Sequence, residues 1–213
     1  MAKEKKSVVR KYTSPKGTLV GFISIFEPST KFNKDGVYQA HILLSKEDGE
    51  KCAAEIKEIR TEQYKTYGKG TKVAELTQCV PYTKTNDEGE EIPDAEGRYV
   101  FKTKAGAFIK DGKPTAVIPV LDAKLKPIKG IRVGEGTVAK LCVDLSGYSV
   151  AGKTGVSAKL RLVQIIDLVE YVGGATADAY GLTEEDGFDF EDDEDVTTED
   201  ASEDGEEEEE LDF

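Results

Sequence analysis

Every lysine and arginine of this chain lies at or before Arg161, whereas residues 173–213 carry 20 acidic side chains and no basic one. This segregation of charge constrains the fold more than any motif. A stretch of such acidic density, with no sustained apolar periodicity, cannot bury enough apolar area to offset the entropy of ordering it. Residues 173–213, beginning at Gly173-Gly174, are therefore expected to form a disordered acidic tail, and residues 1–172 must supply the core. That body holds 29 basic and 22 acidic side chains, a net of +7, so the formal net charge of −13 belongs to the tail. A basic body with an acidic arm is the charge pattern of a polyanion-binding domain.

Other classes are set aside on similar grounds. No apolar run approaches the length of a membrane span. The basic start Met1-Ala2-Lys3-Glu4-Lys5-Lys6 leads into no apolar segment, so a secretory signal is not expected. Cys52, Cys79 and Cys142 are odd in number and widely spaced, which fits neither a disulfide framework nor a zinc site. They read as reduced thiols of a cytosolic protein.

Within residues 1–172 the periodicity is mainly that of strands. Leu19–Phe26 reads as a strand buried on both faces, Pro28–Gly36 as a polar loop, and Val37–Leu44 as the next strand. Ser45, with Asp48 three residues on, resembles a capping box and opens the one convincing helix. Cys52, Ile56 and Ile59 give that helix an apolar stripe, and Gly68 stops it. Gly49 weakens it by about 1 kcal/mol relative to alanine. Residues 85–97 read as an acidic hairpin-like loop. Further strands are expected over Arg98–Ile109, Thr115–Leu121, Gly136–Leu145 and Ser157–Tyr171. Leu141, Val143 and Leu145 alternate with Lys140, Cys142 and Asp144, and Val156, Ala158, Leu160 and Leu162 with Ser157, Lys159 and Arg161. One helix among five or more strands suits a mainly β chain folded as a small Greek-key barrel of the OB type with one packed helix. A β-sandwich would give similar signals.

Catalysis is not expected. A Ser–His or Cys–His nucleophile would have to use His41, the one histidine, and a lone strand histidine is more often surface or structural. Gly152-Lys153-Thr154 lacks the upstream glycine of a phosphate-binding loop, and the carboxylates sit mostly in loops and the tail. No metal site and no cofactor is read from the sequence.

The positive signal is aromatics interleaved with bases, because single strands are held by cationic grooves and by rings that stack on bases. Four clusters carry it: Lys31, Phe32 and Lys34 with Tyr38; Tyr82 with Lys84; Lys102 and Lys104 beside Tyr99 and Phe101; and Tyr148 and Lys153 with Lys159 and Arg161. The alternative is that the rings are core and the lysines ordinary solvated charge. The tail could compete with nucleic acid for a basic groove, its tip Leu211-Asp212-Phe213 offering apolar side chains to partners. It could also be a solubility tail. A further reading makes the chain an acidic-tailed chaperone of basic proteins, with the barrel as scaffold.

Several stretches, taken in order, carry a family resemblance: Gly36-Val37-Tyr38 after a polar loop, Phe101-Lys102, and Gly134-Glu135-Gly136 leading into a strand. They continue with Tyr148, then Gly155-x-Ser157-x-Lys159-Leu160-x-Leu162, then Leu168-Val169-Glu170, and the acidic tail ending Asp212-Phe213. In these the chain resembles the single-stranded-DNA-binding proteins of short-tailed bacteriophages. Residues 68–97 follow that family only loosely. The resemblance implies an OB-fold with a helix packed beside it and a cationic cleft. It implies a protein that coats and anneals single strands in phage DNA replication, recombination and repair, acts in the cytoplasm of an infected bacterial host, and forms dimers. It further implies a tail that occupies the cleft when DNA is absent and contacts the phage DNA polymerase and helicase–primase. Tyr148 corresponds to the family's cleft aromatic and Phe213 to its terminal aromatic, while Lys34 lies near a basic position. The chain has no tryptophan, so stacking falls to tyrosine and phenylalanine.

Overall fold

Alternation of apolar and polar residues is what builds the sheet. The computed structural model describes residues 7–31, 33–86, 88–110 and 112–171. The chain begins with β1 (Val9–Thr13), β2 (Gly17–Leu19), β3 (Ser24–Ser29) and β4 (Val37–Leu44), followed by the helix α1 (Lys46–Tyr67). Short strands follow: β5 (Lys72–Val73), β6 (Cys79–Pro81), and the hairpin β7 (Thr83–Thr85) and β8 (Glu91–Pro93). Then come β9 (Tyr99–Gly106), β10 (Ile109–Lys110), β11 (Lys113–Pro114), β12 (Val120–Leu121), and two long strands, β13 (Val138–Val150) and β14 (Lys153–Asp167).

Five strands close into a ring. β13 pairs with β2, β2 with β4, β4 with β9, β9 with β14, and β14 returns to β13. Every join is antiparallel except β9–β14, which is parallel and rests on one register position, Lys159 opposite Lys104. Closure removes the unpaired edges that an open sheet would present, and gives the Greek-key barrel of the OB type rather than a sandwich of two sheets. β1 extends the sheet along β13, from Val9 opposite Ser146 to Thr13 opposite Cys142.

The expected alternation holds along β13 and along β14 as far as Leu160; past Arg161 the parity shifts, so Val163 and Ile165 enter the core where Leu162 was expected. Leu141, Val143, Leu145, Val156, Ala158 and Leu160 face the core with Leu19, Ile42 and Phe101. The helix closes one end of the barrel with Cys52, Ile56 and Ile59. The Ser45 hydroxyl accepts a bond from the Asp48 amide (3.2 Å) and donates to the Asp48 carboxylate (2.9 Å), so aspartate completes the cap. Gly49 is buried where any side chain would overlap the Tyr99 ring, so close approach of α1 to β9 explains a residue that local propensity disfavours. Across the helix, Arg10 donates to Glu55 (2.9 Å), Glu58 (3.2 Å) and Glu62 (2.8 Å), fastening β1 to α1.

Two expected strands are corrected. Leu19–Phe26 is not continuous: Gly21 turns the backbone to a φ of +70°, Phe22 is 60 % exposed, and the chain re-enters the sheet only at Ser24. Thr115–Leu121 is mostly loop, with only Val120 and Leu121 paired, parallel to β14. The acidic segment 85–97 is a hairpin in fact, fixed by the buried carboxylate of Asp94. Arg98 grips it through Nη2 (2.7 Å) and Nε (2.9 Å), and Lys84 lies 3.3 Å away. These bonds, that from Arg98 foremost, hold the Asp94 carboxyl far below the usual carboxylate range. The expected disordered tail, with Leu211, Asp212 and Phe213, lies outside the described residues, as does Phe32.

Candidate nucleic-acid interface

Residues paired directly across strands share one face of a sheet, with Cβ atoms about 4.5–5.5 Å apart. The register draws one continuous row over the outer face of the barrel: Lys11 opposite Asp144, Asp144 opposite Lys159, Lys159 opposite Lys104, Lys104 opposite Gln39, and Gln39 opposite Ser24. One step along β9, Lys102 lies opposite His41. Lys153, Ser157, Lys159 and Arg161 are all exposed on this face, alternating with buried Thr154, Val156, Ala158 and Leu160. Lys153 in turn pairs with Lys72.

Four of these lysines, Lys102, Lys104, Lys153 and Lys159, make no ion pair among the described residues. Like charges set directly opposite one another destabilise a sheet. The barrel nevertheless places Lys104 against Lys159 and Lys153 against Lys72. A polyanion laid over this face would relieve both repulsions. His41 sits half-buried beside Lys102, and burial, reinforced by that lysine, holds its imidazole below the ordinary value. Both effects favour its uncharged form.

Arg161 occupies a register shift: Cys142 pairs with Leu162 and Val143 with Leu160, so Arg161 is the extra residue of a β-bulge. The bulge aims its guanidinium at Asp144, with Nε and Nη2 both 2.6 Å from Oδ2. Lys11, Thr13, Cys142, Asp144 and Arg161 border a hollow of about 500 Å³ at this corner.

Tyr148 stands on the same face at the tip of the β13–β14 hairpin and is 38 % exposed. Its partner across the hairpin is Gly155, and a methyl group there would overlap the tyrosine phenol. The missing side chain is thus what seats the ring, with part of its surface open to solvent. Beyond the row a groove of about 910 Å³ runs beside β3, with Phe22, Phe26, Lys129, Arg132 and Tyr171 in its wall.

The structure therefore gathers six of the residues singled out from the sequence, Lys102, Lys104, Tyr148, Lys153, Lys159 and Arg161, onto one outer face. Tyr38 must be corrected. It lies on the core-facing parity of β4 with Ala40 and Ile42, is fully buried, and can offer no ring face to a base. Phe101 is also core, packed edge-on to Tyr12 at 5.9 Å. Lys31 and Lys34 lie exposed in the loop before β4, and Lys84 is committed to Asp94 near Tyr82, so these stand apart from the row. Sequence reasoning missed Lys11 and Lys72. The Val9–Lys11–Thr13 alternation could have placed the first, but nothing local marks the second. Among the described residues no cluster of three or more His, Cys, Asp or Glu side chains could hold a metal ion, and no helix is long and apolar enough to cross a membrane.

Comparison with known proteins follows the same line. Residues 16–198 match the family model described as the ssDNA-binding protein of Enterobacter phage Enc34. Among solved structures, gp2.5, a single-stranded DNA binding protein encoded by bacteriophage T7, shares the fold with a TM-score of 0.54 and 20 % identity, over 86 % of this chain and 100 % of that one. The single-stranded DNA-binding protein from bacteriophage Enc34, in complex with ssDNA, aligns at 13 % identity over 74 % of this chain and 88 % of that one, with a TM-score of 0.49. No curated protein sequence matches. Because the family model spans well over half of the sequence, the chain belongs to the phage Enc34 type of single-stranded-DNA-binding proteins.

Proposed function

We propose that this chain binds single-stranded DNA without sequence preference, phosphates following the lysine row and bases stacking on Tyr148. The observation that carries the reading is the pairing of Lys104 with Lys159 on an exposed face where neither makes an ion pair among the described residues, the Asp144 opposite Lys159 being engaged by Arg161. Strand backbones present no base-specific donors here, so phosphate contacts supply affinity and ring stacking supplies tolerance of any base. Lys31, Phe32, Lys34, Tyr82 and Lys84 lie off the row and serve at most as outlying contacts. In the same reading the chain protects and anneals strands during phage replication and recombination in the host cytoplasm. The tail regulates access to the cationic face and carries Leu211, Asp212 and Phe213 to the phage polymerase and helicase–primase, and the working unit is a homodimer. Family membership and the charge segregation of the sequence support these finer points.

Fluorescence titrations with single- and double-stranded oligonucleotides at two salt concentrations test the reading. Single strands bind more tightly, and log K falls against log salt with a slope of about −0.7 for each phosphate neutralised. Equal affinity for duplex, or binding indifferent to salt, overturns it. Absence of any binding by either the full chain or a body lacking the tail favours the chaperone reading instead.

A further inference from the structure

Tyr148 is not the only ring on this face that rests against a glycine. Phe108 follows β9 by two residues, and a Cβ atom on Gly106 would lie 3.2 Å from the tip of its ring. Gly106 has the same outward parity as Lys102 and Lys104. Phe108 is 58 % exposed and has a φ of +50°, a left-handed conformation that a bulky aromatic rarely adopts. The backbone on either side is fastened. Ala107 donates to Gly36 (2.9 Å), Ile109 donates to Asp35 (3.0 Å), and the Phe108 carbonyl accepts from the Thr115 hydroxyl (2.9 Å). The strained residue is thus locked with its ring in solvent, where burial returns little stability. Strain maintained without a packing gain marks a position kept for binding.

The two rings bracket the cationic pair. Gly155 precedes Lys159 by four residues along β14, and Gly106 follows Lys104 by two residues along parallel β9. From ring to ring the sheet runs about 20 Å at 3.3 Å per residue. That length matches roughly six nucleotides at a stacked rise of 3.4 Å, and fewer if the strand is splayed.

Resting on the single-strand reading above, we propose that Phe108 is a second base-stacking platform. A bound strand lies with one base on Tyr148 and another on Phe108, its intervening phosphates over Lys159 and Lys104. The ligand this site takes is a single strand long enough to reach both rings.

The test is a titration of the full chain and its Phe108→Gly and Phe108→Tyr variants with an octanucleotide, at two salt concentrations, beside thermal unfolding. Glycine relieves the left-handed strain, so Phe108→Gly is expected to keep or raise Tm. It is expected to weaken binding by roughly 5- to 160-fold, the range of one lost base stack, with the salt slope unchanged. Phe108→Tyr restores affinity. Unchanged affinity of Phe108→Gly, in a chain whose wild type binds the oligonucleotide, overturns the assignment of Phe108 alone. A fall in Tm that accompanies the loss assigns the ring to packing and also overturns it. Failure of the wild type to bind sinks the single-strand reading itself.

Discussion

At the scale of single residues, the informative feature is that the outer face of the barrel is locally unfavourable. Lys159 has a lysine opposite it on one side and, on the other, an aspartate already engaged by Arg161. Replacing Lys159 with alanine should therefore raise Tm slightly in the absence of DNA while lowering the magnitude of the salt slope by about 0.7. A drop in both quantities would mean that the lysine is structural. Asp144 is the anion that interrupts the row. Asp144→Asn should tighten single-strand binding at low salt, and a weakened affinity would show instead that Asp144 positions Arg161 for the ligand. Part of this was readable in advance. The run Val37-Tyr38-Gln39-Ala40-His41-Ile42 sets Gln39 and His41 on one face and Tyr38 with Ala40 and Ile42 on the other, so the burial of Tyr38 was open to inference from parity. The role of the ring at Phe108 was not, because it depends on a left-handed backbone and on Gly106 beneath it.

At the scale of elements, the helix and the middles of the long strands followed from capping and alternation, since both signals are local; the hairpin end did not, because β13 runs on from Leu145 to Val150 and β14 starts at Lys153 rather than Ser157. The hairpin β7–β8 shows a different kind of support. Its loop is acidic and polar, and beside its own ladder and the Asn86 turn bonds it has one buried carboxylate, Asp94, gripped by Arg98 and Lys84 at its base. The folded-state value of Asp94 lies far below its unfolded one, so this stabilisation is complete above about pH 4, the unfolded aspartate value. It declines as acid is added below that. Thermal unfolding of wild type and Asp94→Asn at pH 7, 5 and 3 should show a Tm gap that is constant between pH 7 and 5 and narrower at pH 3. A gap that does not change across this range would show that the carboxylate's charge is not what holds the hairpin. Ring closure was not legible at this scale. It rests on one register position between strands about fifty residues apart in sequence, and no local pattern encodes such a pairing.

For the whole molecule, the governing quantity is the contrast between a body of net +7 and a tail holding 20 acidic residues without a base. In the proposed reading, tethering makes the acidic tail an intramolecular competitor for the cationic face. Removing residues 173–213 should tighten oligonucleotide binding at low salt. The advantage should shrink between 0.1 M and 1 M salt, as the screening length falls from about 10 Å to about 3 Å. Identical affinities at low salt would remove the tail from regulation and leave it a solubility device. This contrast could be read from the sequence before any strand was assigned, because it needs only the order of charges along the chain.

The barrel is hooped shut where β9 meets β14, and the clasp of that hoop is a pair of cations. An anion seated there turns a point of mutual repulsion into a rivet shared by both strands. Occupancy and fold integrity are then one equilibrium. A strand that fills the face tightens the hoop by an amount that grows with the logarithm of its concentration, and a vacated face leaves the hoop held at its weakest stitch.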